Sequence, residues 1–103
     1  MVDPKLFKTW KVAIANLESA RKSLPEPDES NRDKYQYLIE EYRAYIEHNE
    51  LELALDMLEE LGEIVSCRGG FWKNLQRAAE AMKLNNRIPY YNKKFKEALN
   101  ILK

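Results

Sequence analysis

From Leu51 to Val65 apolar residues occupy well over half of a helical circumference, and this stretch constrains the fold more than any other in the chain. At about 100° per residue, Leu51, Ala54, Leu55, Leu58, Leu61, Gly62 and Val65 fall within one arc of roughly 120°. Leu53, Met57 and Ile64 widen the arc. A helix apolar over so much of its surface needs neighbours on several sides, which predicts a central helix over about residues 50–66. Glu52, Asp56, Glu59, Glu60 and Glu63 form the narrow polar stripe that is left. Gly62, on the buried side, permits close helix approach at up to about 1 kcal/mol relative to alanine.

The neighbours are legible from the same periodicity. Asp3-Pro4 reads as an N-cap followed by proline at the first helical position, where its missing N–H matters least. Leu6, Trp10, Ala13, Leu17, Ala20 and Leu24 then recur at helical spacing, with Phe7 and Ile14 beside them. Pro25 and Pro27 stop that helix. Ser30 to Asp33 reads as a capping box opening a second helix, whose apolar face is Tyr35, Leu38, Ile39, Tyr42, Tyr45 and Ile46. His48-Asn49 is the corner, since asparagine tolerates the left-handed conformation and also caps helices. Arg68-Gly69-Gly70 marks a break before a fourth helix carrying Phe71, Trp72, Leu75, Ala78, Ala79 and Met82. A second break over residues 84–89 precedes Tyr91, Phe95, Ala98, Leu99 and Leu102. No segment shows sustained two-residue alternation. The expected fold is all-α, an irregular bundle of four helices plus a short C-terminal fifth helix, in a single domain over residues 1–103.

Composition removes several function classes. A chain of 103 residues holds one core. A single cysteine, Cys67, excludes an internal disulfide framework and a multi-cysteine metal cage. The charged N-terminal residues and the lack of any long apolar run predict a soluble, cytoplasmic protein with no membrane segment. No His-Glu-x-x-His, phosphate-cradling glycine loop or Gly-x-Ser-x-Gly is present. His48 is the only histidine, and most of the third helix separates it from Cys67, roughly 25 Å of rise, so a thiol dyad is not expected. Tyr45, not a glutamate, stands three residues before His48, against a carboxylate–histidine metal site in the bundle. The expectation is a protein that is not an enzyme and takes no cofactor or metal.

The formal net charge of zero conceals a division along the chain. Residues 1–25 carry +3 and residues 26–64 carry −10, with thirteen acids against Arg32, Lys34 and Arg43. Residues 65–103 carry +7. In that last third Lys73, Arg77, Lys83, Arg87, Lys93, Lys94 and Lys96 alternate with Trp72, Tyr90, Tyr91 and Phe95, a pattern that suits nucleic-acid binding through phosphate contacts and stacking. The aromatics also fall on apolar faces, where they would be core, and the lysines would then be surface or partners for the acidic middle. Direct nucleic-acid binding is the alternative function here; a helical adaptor subunit is a third.

The acidic middle is the more informative block. Between Arg43 and Arg68 there is no Lys or Arg, while Glu47, Glu50, Glu52, Asp56, Glu59, Glu60 and Glu63 all occur. Glu52–Asp56, Asp56–Glu60 and Glu59–Glu63 are like-charge pairs at i,i+4, each costing about 0.2–0.5 kcal/mol on an exposed helix. Either basic residues of the last two helices neutralise the stripe, or it meets a basic partner. On the second alternative, charge reversal at Asp56 and Glu59 is expected to weaken partner binding while leaving melting nearly unchanged.

The run Tyr45 to Leu58 resembles the small bacterial MafI-type immunity proteins that accompany polymorphic toxins of contact-dependent inhibition and related systems. The matching positions are Tyr45, Ile46, His48, Glu50, Ala54, Leu55, Asp56 and Leu58; Leu51-Glu52 stands where those proteins often carry an aromatic residue and glycine. Phe71-Trp72-x-x-Leu75-x-x-Ala78-Ala79 is similar to their next helix. The resemblance implies a cytoplasmic, non-enzymatic protein that binds a cognate toxin domain, in many cases a nuclease with a basic cleft. The acidic stripe fits such a partner, and the expected contact residues are Glu52, Asp56, Glu59, Glu60 and Glu63, with Glu47 and Tyr37 at the periphery. His48 and Glu50 belong mainly to the helix corner.

Overall fold

The structure, a computed structural model, describes residues 4–101, and side chains over residues 8–100. Five α-helices follow one another among the described residues: α1 Pro4–Lys22, α2 Arg32–Glu47, α3 Leu51–Ile64, α4 Gly69–Ala81 and α5 Ile88–Ile101. Short 3-10 turns, Glu29–Asn31 and Asn85–Arg87, lead into α2 and α5. No strand is present among the described residues, and no described helix is long and apolar enough to cross a membrane. The fold is therefore the all-α bundle that the periodicity predicts, with α5 as long as α3.

Helix α2 packs on α3, α1 on α4, and α4 on α5, while α3 also touches α1 and α4. The shortest dimension is 20 Å, room for two layers of helices about 10–12 Å across. The core is apolar throughout. Ala13, Leu17, Ala20, Leu38, Tyr42, Ala54, Leu55, Leu58, Leu61, Phe71, Leu75 and Tyr91 are buried together. Leu51, Ala54, Leu55, Leu58, Leu61 and Gly62 make α3 the central helix. Two expected core residues depart from this: Leu53, nearly opposite the middle of the apolar arc, is exposed, and Val65 lies past the helix in extended backbone.

Both α2 and α4 end in the same way. Past His48, Asn49 turns left-handed at φ 56°, and the Asn49 and Glu50 amides donate back to Ile46 and Tyr45. Past Met82, Lys83 does the same at φ 60°, with amides 83 and 84 donating to Glu80 and Ala79. These reverse bonds satisfy carbonyls that the ended helix leaves without partners.

Several local expectations are corrected. The capping box at Ser30–Asp33 does not form: α2 begins after Asn31 with no side-chain cap, and Asn31 Nδ2 instead donates to the Ile64 carbonyl at 3.2 Å. That bond ties the end of α3 to the start of α2, which a local cap could not do. Asn49 does not cap α3 either; Glu50 holds the N-cap position without a side-chain bond. Gly69 and Gly70 are not a break but the first turn of α4, where a Cβ on Gly69 would lie 3.2 Å from the Phe95 ring. Pro89, read as part of a break, lies in the first turn of α5, where its lack of an N–H is tolerated. The proposed Asp3 cap and the placement of Leu6, Phe7 and Leu102 lie outside the described side chains.

Candidate functional site

Along α3 the acids divide into two edges, one turned to α5 and one turned to solvent beside α2. On the α5 edge, Arg87 Nη1 meets Asp56 Oδ1 at 2.7 Å and Arg87 Nη2 meets Glu59 Oε1 at 3.1 Å. The Tyr91 hydroxyl donates to the same Glu59 oxygen at 2.8 Å. Arg87 also lies over the Tyr91 ring, 5.8 Å from its centroid. One turn on, Lys94 Nζ approaches Glu63 Oε2 at 3.7 Å while sitting 5.2 Å from the Trp72 ring. Arg87 is an arginine rather than a lysine for a physical reason: its planar fork reaches two carboxylates one turn apart and still stacks on a ring. Burial, and then the bond to Glu59, push the Tyr91 phenol well above the ordinary tyrosine range.

The other edge is different. Glu60 on α3 is exposed there, and no ion pair reaches it among the described residues; Glu47 at the end of α2 and Glu52, which is in line with Asp56 and Glu59 but nearer the start of α3, are likewise exposed and without an ion pair. Tyr37, on α2, is 58% exposed. The carboxylate of Glu41, one turn along α2, raises the Tyr37 phenol above its ordinary value, with Tyr45 and Glu60 adding to the effect. Leu53 is 42% exposed on the same side of α3 as Glu60, seven residues and two turns away.

The seven residues marked in the sequence therefore do not form one face. Asp56, Glu59 and Glu63 are engaged within the fold by Arg87, Tyr91 and Lys94. Glu60 lies close enough to act on the Tyr37 phenol, while Glu52, in line with Asp56 and Glu59 but nearer the start of α3, and Glu47 are exposed without an ion pair among the described residues. Sequence reasoning missed Glu41, although its i,i+4 spacing from Tyr37 was available, and assigned Leu53 to the core. It also misjudged the test on Asp56 and Glu59. Reversing those charges would face Arg87 with cations and leave the buried Tyr91 hydroxyl without its acceptor, so melting would change.

The basic C-terminal third is less available than its composition suggests. Trp72 and Tyr91 are buried, stacked on each other with ring centroids 6.4 Å apart, and cannot take a base. Phe95 is half-buried beneath Lys73, whose Nζ lies 5.2 Å from its centroid. Of the expected stacking residues only Tyr90 is exposed.

No arrangement for nucleophilic chemistry involves His48 and Cys67. His48 caps the end of α2, and Cys67 lies past the opposite end of α3. Burial pushes the Cys67 thiol up to about 12, although Lys94 pulls the other way, so at neutral pH it is not a thiolate. Among the described residues no group of three or more His, Cys, Asp or Glu side chains is placed to hold a metal ion. A shallow groove of about 260 Å³ runs past Gly62, Cys67, Trp72 and Lys94. It is below the size at which pockets usually enclose a small molecule, about 300 Å³ and upwards.

No family model matches the chain, and no curated protein or solved structure matches it either.

Proposed function

We propose that this chain is an immunity-type protein: it acts without catalysis, binding a cognate basic toxin domain, of the nuclease class, and blocking its active site or substrate entry. The observation that carries the proposal is a set of exposed carboxylates on α2 and α3 that no ion pair reaches among the described residues. Glu52, Glu60 and Glu47 stand exposed with no ion pair among the described residues, although basic residues elsewhere in the fold pair with Asp56, Glu59 and Glu63. Unpaired carboxylates on rigid helices would imitate a phosphate backbone and speed encounter with a basic cleft. The resemblance of residues 45–58 to MafI-type immunity proteins supports the same reading, and with it a cytoplasmic location.

The test is co-expression with the C-terminal domain of the adjacent upstream reading frame. Protection of growth and recovery of a stable complex are expected with the wild-type chain. Both should be weakened in Glu52→Lys/Glu60→Lys, whose melting should match wild type because neither residue is paired in the fold. A harmless neighbour, or killing that continues regardless, would overturn the proposal.

A further inference from the structure

Helix α3 is flanked on both sides by a tyrosine set beside two carboxylates. On the α5 side the group is Tyr91, Asp56 and Glu59, and Arg87 fills it: its guanidinium pairs both carboxylates and lies over the ring. On the α2 side the group is Tyr37, Glu41 and Glu60. Tyr37 and Glu41 share a face of α2 one turn apart, and Glu60 comes from α3, against which α2 packs. Tyr45 continues the α2 row one further turn on, and Leu53 extends the α3 side, giving the acidic group an aromatic and aliphatic border. Lys34 lies one turn before Tyr37 but makes no ion pair with Glu41 or Glu60 among the described residues.

We infer that this α2–α3 face is a docking surface for an arginine side chain of a basic protein partner, with the guanidinium plane on Tyr37 and its fork on Glu41 and Glu60. The inference takes from the proposed function only that the partner is a basic protein. The choice of arginine over lysine follows from chemistry. A guanidinium is planar, weakly hydrated and stacks on an aromatic face while pairing carboxylates, whereas an ammonium holds its water and gains less from the ring. The chain already uses this arrangement at Arg87. The exposed Tyr37 ring is unusual for a solvated acidic surface and has a use under this assignment, as does Leu53, which would cover the aliphatic stem of the incoming residue.

The test uses the full chain and two short peptides of equal length and charge, one arginine-rich and one lysine-rich, followed by NMR at low salt. The arginine peptide should bind about two- to fivefold more tightly and shift the Tyr37 ring and the Glu41 and Glu60 signals most. In Tyr37→Leu, an exposed substitution, the preference should vanish and leave equal, salt-sensitive binding of both peptides. Equal affinity in the wild-type chain, shifts centred on other residues, or no binding would each overturn the inference. The two proposals fail separately. Toxin protection that survives Tyr37→Leu removes this assignment and leaves the immunity function. An arginine preference at Tyr37 in a chain that protects against no toxin removes the immunity function and leaves this one.

Discussion

Gly62 of α3 lies so close to Phe71 of α4 that a Cβ at position 62 would stand 2.5 Å from Phe71 Cε1, and 2.7 Å from the Trp72 ring. Both rings are buried, so neither can swing away into solvent. In an open helix, Gly→Ala would add up to about 1 kcal/mol of stability. Here overpacking opposes it, at about 1–3 kcal/mol, and the contact distances decide in favour of the clash. Gly62→Ala should therefore lower stability by about 1–2 kcal/mol while helicity is kept. A lower urea midpoint at unchanged slope would show this; a midpoint at or above wild type would mean that α3 and α4 separate without cost.

Arg87 holds α5 against α3 through two partly exposed acids, its own side chain being only 15% exposed. Because solvent screens Asp56 and Glu59, Arg87→Met should cost only about 1 kcal/mol, and less in high salt. Asp56→Lys/Glu59→Lys should cost about 2 kcal/mol or more, since it adds repulsion and removes the acceptor of a buried hydroxyl. Glu52→Lys/Glu60→Lys should stay within about 0.5 kcal/mol of wild type. Thermal melts of the three variants compare the paired and the unpaired acids of α3 directly. Equal losses in both double variants would mean that the two sets of acids are not distinct.

The division between those paired and unpaired acids marks where sequence stops being informative. Helical spacing of apolar residues located all five helices, the central position of α3 and the close approach at Gly62, because burial follows from a period the chain itself carries. Which acids of α3 meet a cation was not legible. The stripe is continuous in sequence, and only the placement of Arg87, Tyr91 and Lys94 against it sets Asp56, Glu59 and Glu63 apart from Glu52 and Glu60. Tyr37 beside Glu60 depends in the same way on how α2 lies against α3. The failed capping box has the same origin: Asn31 had a tertiary acceptor, the Ile64 carbonyl, 33 residues away in sequence.

Two buried phenols make the fold sensitive to alkali. Burial first, and then bonds to Glu18 and Glu59, hold the Tyr42 and Tyr91 protons above the ordinary value near pH 10. Cys67, pushed up to about 12 by burial, acts in the same direction. For groups with raised folded values, the stabilisation is complete below the unfolded value and is lost as pH climbs above it. Urea titrations should thus give a flat stability through neutral pH and a fall beginning at about pH 9–10. Tyr91→Phe should make that fall shallower, and an unaltered slope would place the alkaline transition elsewhere. Acid has a smaller effect. Although burial opposes ionisation of Glu18, hydrogen bonds from Arg21 and Tyr42 hold its carboxyl below the usual range. That contribution is present above the ordinary carboxylate value and disappears as pH falls below it.

Lys83 and Asn49 occupy the same left-handed position after α4 and α2, at φ 60° and 56°, but with different side chains. A Cβ is strained there by about 1–2 kcal/mol, asparagine less because its amide bonds locally. Glycine removes the strain and loses part of the gain to the greater freedom of the unfolded chain. Lys83→Gly should therefore stabilise the protein by about 0.5–1 kcal/mol, and Asn49→Gly by no more than a few tenths. The comparison is internal, since both residues end a helix with the same pair of reverse amide bonds. Equal gains would mean that asparagine has no advantage at this position; a loss at Lys83 would mean that its long side chain covers the end of α4 and outweighs the backbone strain.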